Sequence, residues 1–204
     1  MCGIVGYVGG NRSVGVLLGG LRRLEYRGYD SAGIAVIGED GTLGTRKHAG
    51  KLQVLVDDVE ANPLQDGPTG IGHTRWATHG GPTDANAHPH LGDDGKLALI
   101  HNGIIENFAE LKAQLVAEHP ETVFTSETDS EVAAHLVGYA YRDTQDVTEA
   151  LRRVVTQLHG AFTLLVLYRD QPGVVVGARR NSPLVIGLGE GENFLGSDVA
   201  AFVE

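Results

Sequence analysis

Strand-length segments follow one another in this sequence without helices between them. The segments 32–37 and 42–48 are separated only by a short turn around Gly41, and no helical pattern interrupts 161–188. Strands joined by short turns run antiparallel, because a parallel pair needs a crossover of about a dozen residues or more. We therefore predict largely antiparallel sheets, from strands at 3–8, 32–37, 42–48, 70–76, 97–101, 161–168, 173–178 and 184–188.

Helical periodicity occupies much of the remaining sequence. In several segments apolar residues recur at spacings of three and four, which places them on one face of an α-helix. The helices are predicted from Ser13 to Gly28, over 52–59, over 105–115 with Ile105, Phe108, Leu111 and Leu115 inward, from about 126, and over 147–158. The fourth begins with two overlapping capping-box patterns, Ser126-x-x-Asp129 and Thr128-x-x-Glu131. Helices covering antiparallel sheets make an α+β layered domain.

Composition limits the partners of this chain. Its 204 residues fit one domain or two small ones, and 42% of them are apolar, which is enough for a core. Sixteen lysine and arginine residues against 26 aspartate and glutamate residues give a net charge of −10, which disfavours nucleic acid and anionic membranes. No stretch reaches the roughly 20 apolar residues of a membrane helix, and no basic region precedes the first apolar residues. We predict a cytoplasmic protein.

The only cysteine, Cys2, excludes an internal disulfide and an all-thiolate zinc site. A lone cysteine is more often a small buried apolar residue than a nucleophile. The position of Cys2 directly after Met1 favours the interpretation as a nucleophile. If Met1 is removed, Cys2 carries a free α-amine with a pKa near ~8, close to ~8.5 for its thiol, so the amine can accept the thiol proton. The thiolate could then attack a carboxamide.

The dipeptide Asn102-Gly103 is predicted to end the strand 97–101. An asparagine amide and a glycine backbone N–H can both point at one oxygen and form an oxyanion hole. Asn-Gly is also the commonest tight-turn dipeptide. Both interpretations are compatible with the sequence alone.

The segment HTRWATHGG at 73–81 passes from strand-like residues into a Gly-Gly-Pro end, which is typical of a loop that closes over a site. Arg75 is suited to a carboxylate, and Asp129 at a helix start could hold an ammonium group. Together they describe a site for a free amino acid. The alternatives are a surface ion pair for Arg75, a core position for Trp76 and a helix cap for Asp129.

Histidines suggest a competing metal site. Five of the nine lie between 73 and 101, namely His73, His79, His88, His90 and His101, and histidine is the commonest metal ligand. None of these pairs has the i, i+4 spacing of a zinc-binding helix, and Asp84 is the one obvious carboxylate nearby. GLGEG at 187–191 does not match a phosphate-binding loop. We expect neither a metal nor a cofactor.

Several motifs together resemble a known family. They are MCGIVG at 1–6, LRRLEYRGYDSAG at 21–33, HTRWATHG at 73–80, NAHPH at 86–90, HNGIIEN at 101–107, SETDSE at 126–131 and SPLVIGLGEGENFLGSD at 182–198. In this combination they are similar to the glutaminase domain of the glucosamine-6-phosphate synthases, which are class II glutamine amidotransferases. The resemblance implies the N-terminal-nucleophile hydrolase fold, a four-layer αββα sandwich with antiparallel sheets.

The resemblance also implies roles for named residues. Cys2 would be the nucleophile with its freed amine as base, and Asn102 and Gly103 would form the oxyanion hole. Arg75 would bind the α-carboxylate of L-glutamine and Asp129 its α-ammonium group. The resemblance puts Trp76, Thr78 and His79 on a loop that closes over the substrate, and it puts Arg27 and His88 near the site without a definite role.

The same resemblance implies that 1–204 is a glutaminase domain, apparently truncated at its C-terminus. The sugar-isomerase domains that take fructose 6-phosphate would be absent from it. The expected activity is therefore hydrolysis of glutamine to glutamate and ammonia, and the full-length enzyme is expected to be a homo-oligomer. The alternatives are another class II amidotransferase, or an inactive amino-acid-binding module if Met1 is retained.

Overall fold

Two antiparallel sheets form the centre of the computed structural model, which describes residues 2–78 and 80–203. The first half of the chain contains β1 (Gly3–Val8), α1 (Ser13–Arg23), a short 3₁₀ helix (Glu25–Arg27), β2 (Ser31–Ile37), β3 (Leu43–Ala49), α2 (Leu52–Ala61), β4 (Thr69–Arg75), β5 (His90–Gly92) and β6 (Leu97–Ile105). The second half contains α3 (Phe108–Glu118), α4 (Asp129–Thr144), α5 (Val147–Val155), β7 (Gly160–Tyr168), β8 (Val176–Arg180), β9 (Val185–Leu188), β10 (Asn193–Gly196) and a 3₁₀ turn (Val199–Ala201). One sheet has the order β3-β2-β4-β1-β10-β9 and the other β5-β6-β7-β8.

Three apolar clusters show that these elements lie in four layers. The two sheets face each other through a cluster that includes Ile4, Ile71, Ile100 and Leu165. Helices α1 and α2 cover the outer face of the six-stranded sheet, and α3, α4 and α5 cover the outer face of the four-stranded sheet. The α+β class and the four-layer sandwich with antiparallel sheets are confirmed.

Strand β7 shows why the sequence of some strands is a continuous run of apolar residues. Leu165 and Leu167 face the other sheet, whereas Leu164 and Val166 face the helices. A strand alternates its side chains between two faces, and here both faces are covered. Each of these side chains stabilises the fold by about 1.5–3 kcal/mol relative to an exposed position.

The predicted strand end at Asn102-Gly103 is wrong, and so is the tight-turn interpretation of this dipeptide. Strand β6 continues to Ile105, with Gly103 opposite Phe162 of β7. Gly103 has a φ of +125°, and a Cβ there would lie 2.0 Å from the Ala161 carbonyl oxygen. Glycine therefore permits a close approach between strands rather than a chain reversal. Since Ile105 ends the strand, it does not belong to the helix predicted over 105–115.

Other boundaries differ in smaller ways. The short strands β5 and β10 were not predicted, and the GLGEG segment comprises the last two residues of β9 and part of the turn before β10. Helix α1 ends at Arg23 rather than Gly28. Thr128 caps α4 by accepting a hydrogen bond from the Glu131 N–H, as the second capping-box pattern predicts. Within 2–78 and 80–203, no helix is long and apolar enough to cross a membrane.

Candidate active site

One cavity of about 420 Å³ collects every predicted site residue that the structure describes; His79 lies outside the described residues. The predicted residues that line it are Cys2, Arg27, Arg75, Trp76, Thr78, His88, Asn102, Gly103 and Asp129. They come from the residue before β1, the 3₁₀ helix 25–27, the end of β4 and the segment that follows it, the later part of β6 and the start of α4. Residues up to 127 positions apart in sequence thus share one site.

Sheet pairing brings Cys2 to the end of β4. Strands β1 and β4 are neighbours, with Gly3 opposite Thr74, so the residue before Gly3 meets the residues that follow Thr74. The Cys2 Sγ accepts a hydrogen bond from the Trp76 backbone N–H at 3.1 Å. Burial raises the pKa of the Cys2 thiol, although the hydrogen bond from Trp76 acts in the opposite direction. A base near the sulfur would therefore be needed to form the thiolate at neutral pH.

Asn102 reaches the same point from the other sheet. Its Nδ2 donates to the Cys2 carbonyl oxygen at 3.2 Å, and its Oδ1 lies 2.8 Å from Nε2 of His73 on β4. Gly103 follows directly on the same cavity wall. A side-chain amide donor thus lies beside the only cysteine, as stabilisation of an oxyanion requires.

Arg75 places a buried positive charge in the cavity wall. Its side chain is 3% exposed, and its guanidinium donates to the carbonyl oxygens of Gly80 and Gly81 at 3.3 Å each. These contacts tie the end of β4 to the loop that follows it. Asn86 joins this loop to the segment just before α4, because its side-chain amide donates to the Gly81 carbonyl and to the Glu127 carboxylate.

Asp129 places a buried negative charge in the same cavity. Its Oδ2 accepts from the Ile105 N–H at 2.8 Å, and its Oδ1 accepts from the Ser130 hydroxyl at 3.2 Å. Nδ1 of His101 lies 3.7 Å from Oδ1. The carboxylate is thereby fixed between the end of β6 and the start of α4. The cap of α4 comes from Thr128, so Asp129 is not needed as the cap residue.

His88 is held in the cavity wall by its backbone neighbours. Lys47 Nζ donates to the carbonyl oxygens of Ala85, Ala87 and Pro89 at 3.2, 2.8 and 3.1 Å. Burial lowers the pKa of His88 well below its ordinary value. Among the described residues, neither ring nitrogen of His88 has a hydrogen-bond partner. A neutral ring with unused donor and acceptor capacity therefore borders the cavity.

The remaining predicted residues lie at the rim and at the far wall. Trp76 is 54% exposed, so it is not a core residue, and Thr78 is exposed beside it. Arg27 donates to the hydroxyl and the carbonyl oxygen of Ser197 at 3.0 and 3.3 Å. As for the competing metal site, no group of three histidine, cysteine or carboxylate side chains in the described ranges could hold a metal ion.

Sequence reasoning missed several residues of the cavity. They are His101, Ile104, Thr128, Ser130, Ser182, Pro183 and Ser197. All of them fall inside the motifs at 101–107, 126–131 and 182–198, so the motifs carried the signal. The third motif, far along the chain, reaches the site because the Ser197 hydroxyl accepts from the Ile4 N–H at 3.0 Å.

Comparison with known proteins agrees with this geometry. The model of the glutamine amidotransferase domain family matches residues 73–204. A glutamine–fructose-6-phosphate aminotransferase (isomerizing) from Leifsonia xyli subsp. xyli is 73% identical over the whole chain, and one from Streptomyces coelicolor is 61% identical. The chain spans 33% and 32% of the length of these two relatives.

A solved structure of similar fold is the glutamine phosphoribosylpyrophosphate amidotransferase of B. subtilis. It superimposes with a TM-score of 0.80 at 27% identity, over 98% of this chain and 43% of that one. The fold, the cavity and the family match lead to one conclusion. The chain belongs to the glutamine amidotransferase domain family and has the N-terminal-nucleophile hydrolase fold.

Proposed function

We propose that this domain hydrolyses L-glutamine to glutamate and ammonia, with Cys2 as the nucleophile. The observation that carries the proposal is the meeting of four groups in one cavity. They are the Cys2 thiol, the Asn102 amide, the buried Arg75 guanidinium and the buried Asp129 carboxylate. A nucleophile, an oxyanion donor and two opposite charges are the groups that cleavage of an amino-acid amide requires.

The amino-acid end of glutamine is assigned to the two charges. Arg75 pairs with the α-carboxylate, since its planar guanidinium suits a carboxylate. Asp129 accepts from the α-ammonium group. The loop with Trp76, Thr78 and His79 closes over the bound substrate and keeps bulk solvent away from it. Arg27 and His88 border the site, and we assign them no chemical step.

The reaction begins with Cys2 after Met1 is removed. The freed α-amine takes the thiol proton, and the sulfur forms a bond to the carboxamide carbon of glutamine. The carbonyl π electrons move to oxygen, where the Asn102 side-chain amide and the Gly103 N–H donate to the resulting oxyanion. The amine then passes its proton to the leaving nitrogen, the C–N bond breaks, and ammonia leaves a thioester.

Water completes the cycle at the thioester. The α-amine accepts a proton from the water, whose oxygen attacks the thioester carbon and forms a second oxyanion in the same place. Collapse of this intermediate breaks the C–S bond and returns a proton to sulfur. Glutamate leaves, and Cys2 is ready for another turnover.

The wider role is inferred from the two aminotransferase relatives. We propose that the ammonia serves transfer to fructose 6-phosphate, giving glucosamine 6-phosphate in a homo-oligomeric cytoplasmic enzyme. Fructose 6-phosphate would bind in sugar-isomerase domains, which we assign to the two thirds of the relatives that this chain does not span. Residues 1–204 would then be the glutaminase domain of that enzyme. Neither nucleic acid nor membrane is part of the proposal.

The test combines intact mass with a glutaminase assay. We expect the purified protein to lack the mass of one methionine and to release glutamate from glutamine. Cys2→Ala should lower turnover by roughly 10⁴-fold or more, because no other group supplies the nucleophile. Cys2→Ala should still bind glutamate, which separates a lost nucleophile from a lost fold.

Two results would contradict the proposal. Glutaminase activity that survives in Cys2→Ala would show that another group attacks the amide. A protein that retains Met1 and binds glutamine without cleaving it would instead be an amino-acid-binding module.

A further inference from the structure

The side chain of Asn102 has two orientations of nearly equal shape. Rotation by 180° about its last bond exchanges Oδ1, which accepts hydrogen bonds, with Nδ2, which donates two. An oxyanion hole needs the donor on the substrate side. A contact with another group must therefore hold Asn102 in one orientation. The hydrogen-bond partners of its Oδ1 and Nδ2 identify that contact.

Two contacts distinguish the ends of this amide. Nδ2 lies 3.2 Å from the Cys2 carbonyl oxygen, which can only accept, so the donor end must face Cys2. Oδ1 lies 2.8 Å from Nε2 of His73. Since Oδ1 can only accept, the His73 ring must donate from Nε2.

The surroundings of His73 favour this tautomer. The side chain is fully buried, and burial lowers its pKa to about 3, against the opposing effect of the hydrogen bond to Asn102. The ring is therefore neutral near pH 7 and carries one ring proton. In the described part of the chain Nδ1 has no partner in hydrogen-bond geometry, and the contact of the ring with the His101 backbone raises the pKa less than the hydrogen bond to Asn102 does, so Asn102 is the main partner that holds that proton on Nε2.

The reversed orientation of Asn102 would be unfavourable at both ends. The amide N–H would face the Nε2–H of His73, and Oδ1 would face the Cys2 carbonyl oxygen. Two hydrogen bonds would be lost and two like partial charges would meet in a buried place. His73 lies on β4 of one sheet and Asn102 on β6 of the other, so this contact also fixes the amide relative to Cys2.

We propose that His73 is a positioning residue for glutamine hydrolysis: its Nε2–H holds Oδ1 of Asn102, so that the amide donors face Cys2 and the developing oxyanion. This inference rests on the proposed function of Asn102. It adds a residue that lines no part of the cavity wall and acts only through another side chain.

The test uses matched substitutions of His73. His73→Gln keeps an N–H donor at a similar reach, whereas His73→Met has similar length and no donor. In His73→Met we expect kcat for glutamine to fall roughly 10- to 100-fold with KM changed less than about threefold, because the oxyanion donor loses its orientation. Glutamate γ-semialdehyde, which forms an oxyanion with the thiol, should inhibit more weakly by a similar factor. His73→Gln should recover most of the loss.

The same substitution in an Asn102→Ala background distinguishes a positioning role of His73 from general damage to the protein. In Asn102→Ala, the change His73→Met should cost less than about twofold in kcat, because there is no amide left to orient. The same fold-loss in both backgrounds would overturn the proposal. So would a His73→Gln variant that is folded but no more active than His73→Met.

A spectroscopic readout needs neither a variant nor turnover. In the unsubstituted protein labelled with ¹⁵N-histidine, the His73 ring should show a protonated Nε2 and a bare Nδ1 between pH 6 and 8. A proton on Nδ1 would overturn the proposal even if His73→Met fails to fold. Failure of the proposed function is distinguishable, because it would appear as an inactive unsubstituted protein whatever the tautomer of His73.

Discussion

The site cavity that contains Cys2, called the Cys2 cavity below, lies next to a second cavity of similar size. The two cavities differ in how many of their polar groups are hydrogen-bonded. This second cavity, of about 480 Å³, lies on the other side of a wall that the two cavities share. Residues next to each other in sequence face opposite sides of that wall: Ser130 lines the Cys2 cavity and Glu131 the second one, and His88 and Pro89 are divided in the same way.

In the second cavity the carboxylates of Asp93 and Glu131 are hydrogen-bonded to an arginine, to hydroxyl groups and to the backbone. Asp93 accepts from the Tyr168 hydroxyl and from Nε of Arg142. Glu131 accepts from the backbone and hydroxyl groups of Thr125 and Ser126, at 2.7–2.8 Å. These hydrogen bonds outweigh burial, which favours the neutral acids, and hold the pKa values of Asp93 and Glu131 below their ordinary range.

In the Cys2 cavity hydrogen-bonding capacity is left over. Within the described ranges, Nδ1 and Nε2 of His88 and Nε2 of His101 are buried without a partner. The second cavity has one such atom, Nε2 of His135, which lies 4.0 Å from Oε1 of Glu131. A buried polar atom without a partner costs about 1–3 kcal/mol. Volume does not distinguish the two cavities, whereas the number of unsatisfied polar atoms does, and it supports the proposal that glutamine binds in the Cys2 cavity.

Among substitutions of the charged residues in the two cavities, the largest effect should come from removing a charge of the Cys2 cavity. In Arg75→Ala we expect kcat/KM for glutamine to fall roughly 100-fold, because the α-carboxylate loses a buried charge-assisted partner worth about 3 kcal/mol. 4-Aminobutanamide, which lacks that carboxylate, should be cleaved equally by both proteins. If the unsubstituted domain cleaves 4-aminobutanamide as well as glutamine, the assignment of Arg75 is wrong.

Asp129→Asn provides the matched control at the other end of the substrate. Asparagine keeps an acceptor for the Ile105 N–H and removes the negative charge. Cleavage of glutamine should fall, whereas glutaramate, which has the carboxylate but no α-amine, should be unaffected. A variant that loses activity toward both compounds equally would show that Asp129 acts on the fold and not on the ammonium group.

A smaller effect, on stability and not on turnover, is expected in the second cavity. Asp93 has a φ of +48°, which asparagine tolerates, so Asp93→Asn removes the charge with little backbone strain. We expect the free energy of unfolding to fall by about 2 kcal/mol, because Arg142 and Tyr168 lose a charged acceptor. Urea denaturation measures this loss, and kcat/KM for glutamine should stay within about twofold.

Asp94→Asn is the control for that substitution. Asp94 also has a positive φ, of +53°, but its side chain is 91% exposed and lies 3.6 Å from Arg142. Exposed ion pairs contribute about 0–1 kcal/mol, so the change should be under about 0.5 kcal/mol. Equal losses from Asp93→Asn and Asp94→Asn would show that the buried network does not stabilise the second cavity.

The sequence predicted the Cys2 cavity better than it predicted the strand that carries part of it. Cys2, Arg75, Asn102 and Asp129 were found because their chemistry and motifs are local. The course of β6 was missed because a glycine usually weakens a strand. The reason for Gly103 is the approach of Ala161, 58 residues away, which no local pattern reveals.

Long-range polar contacts also could not be predicted from local sequence patterns. The ammonium group of Lys47 holds the backbone on both sides of His88, about 40 residues later. No periodicity or motif marks Lys47, since a lysine on a half-buried strand is usually a solvated residue. The second capping-box pattern predicted the start of α4 correctly, yet the Glu131 carboxylate bonds to Thr125 and Ser126. The sequence determines which polar side chains are present, and tertiary packing determines which hydrogen-bond partners they have.

The smallest predicted effect concerns Glu131 and the response of the second cavity to acid. Because the folded pKa of Glu131 lies below its ordinary value of 4.5, its carboxylate stabilises the fold above that value, and the contribution is lost as pH falls through the folded pKa. Glu131→Gln should therefore be less stable than the unsubstituted protein by roughly 1–2 kcal/mol at pH 7. The difference should shrink as the pH falls below about 4.5 and should level off only below the folded pKa of Glu131, where both proteins carry a neutral side chain.

Urea denaturation at several pH values between 7 and 3 measures this difference directly. Glu118→Gln is the control, because Glu118 is exposed on α3 and its substitution should change the unfolding free energy by less than about 0.5 kcal/mol at each pH. A Glu131→Gln difference that stays constant across the range would mean that the shape of the side chain, and not its charge, stabilises this wall. The second cavity would then be held by packing, and its contrast with the Cys2 cavity would rest on Asp93 alone.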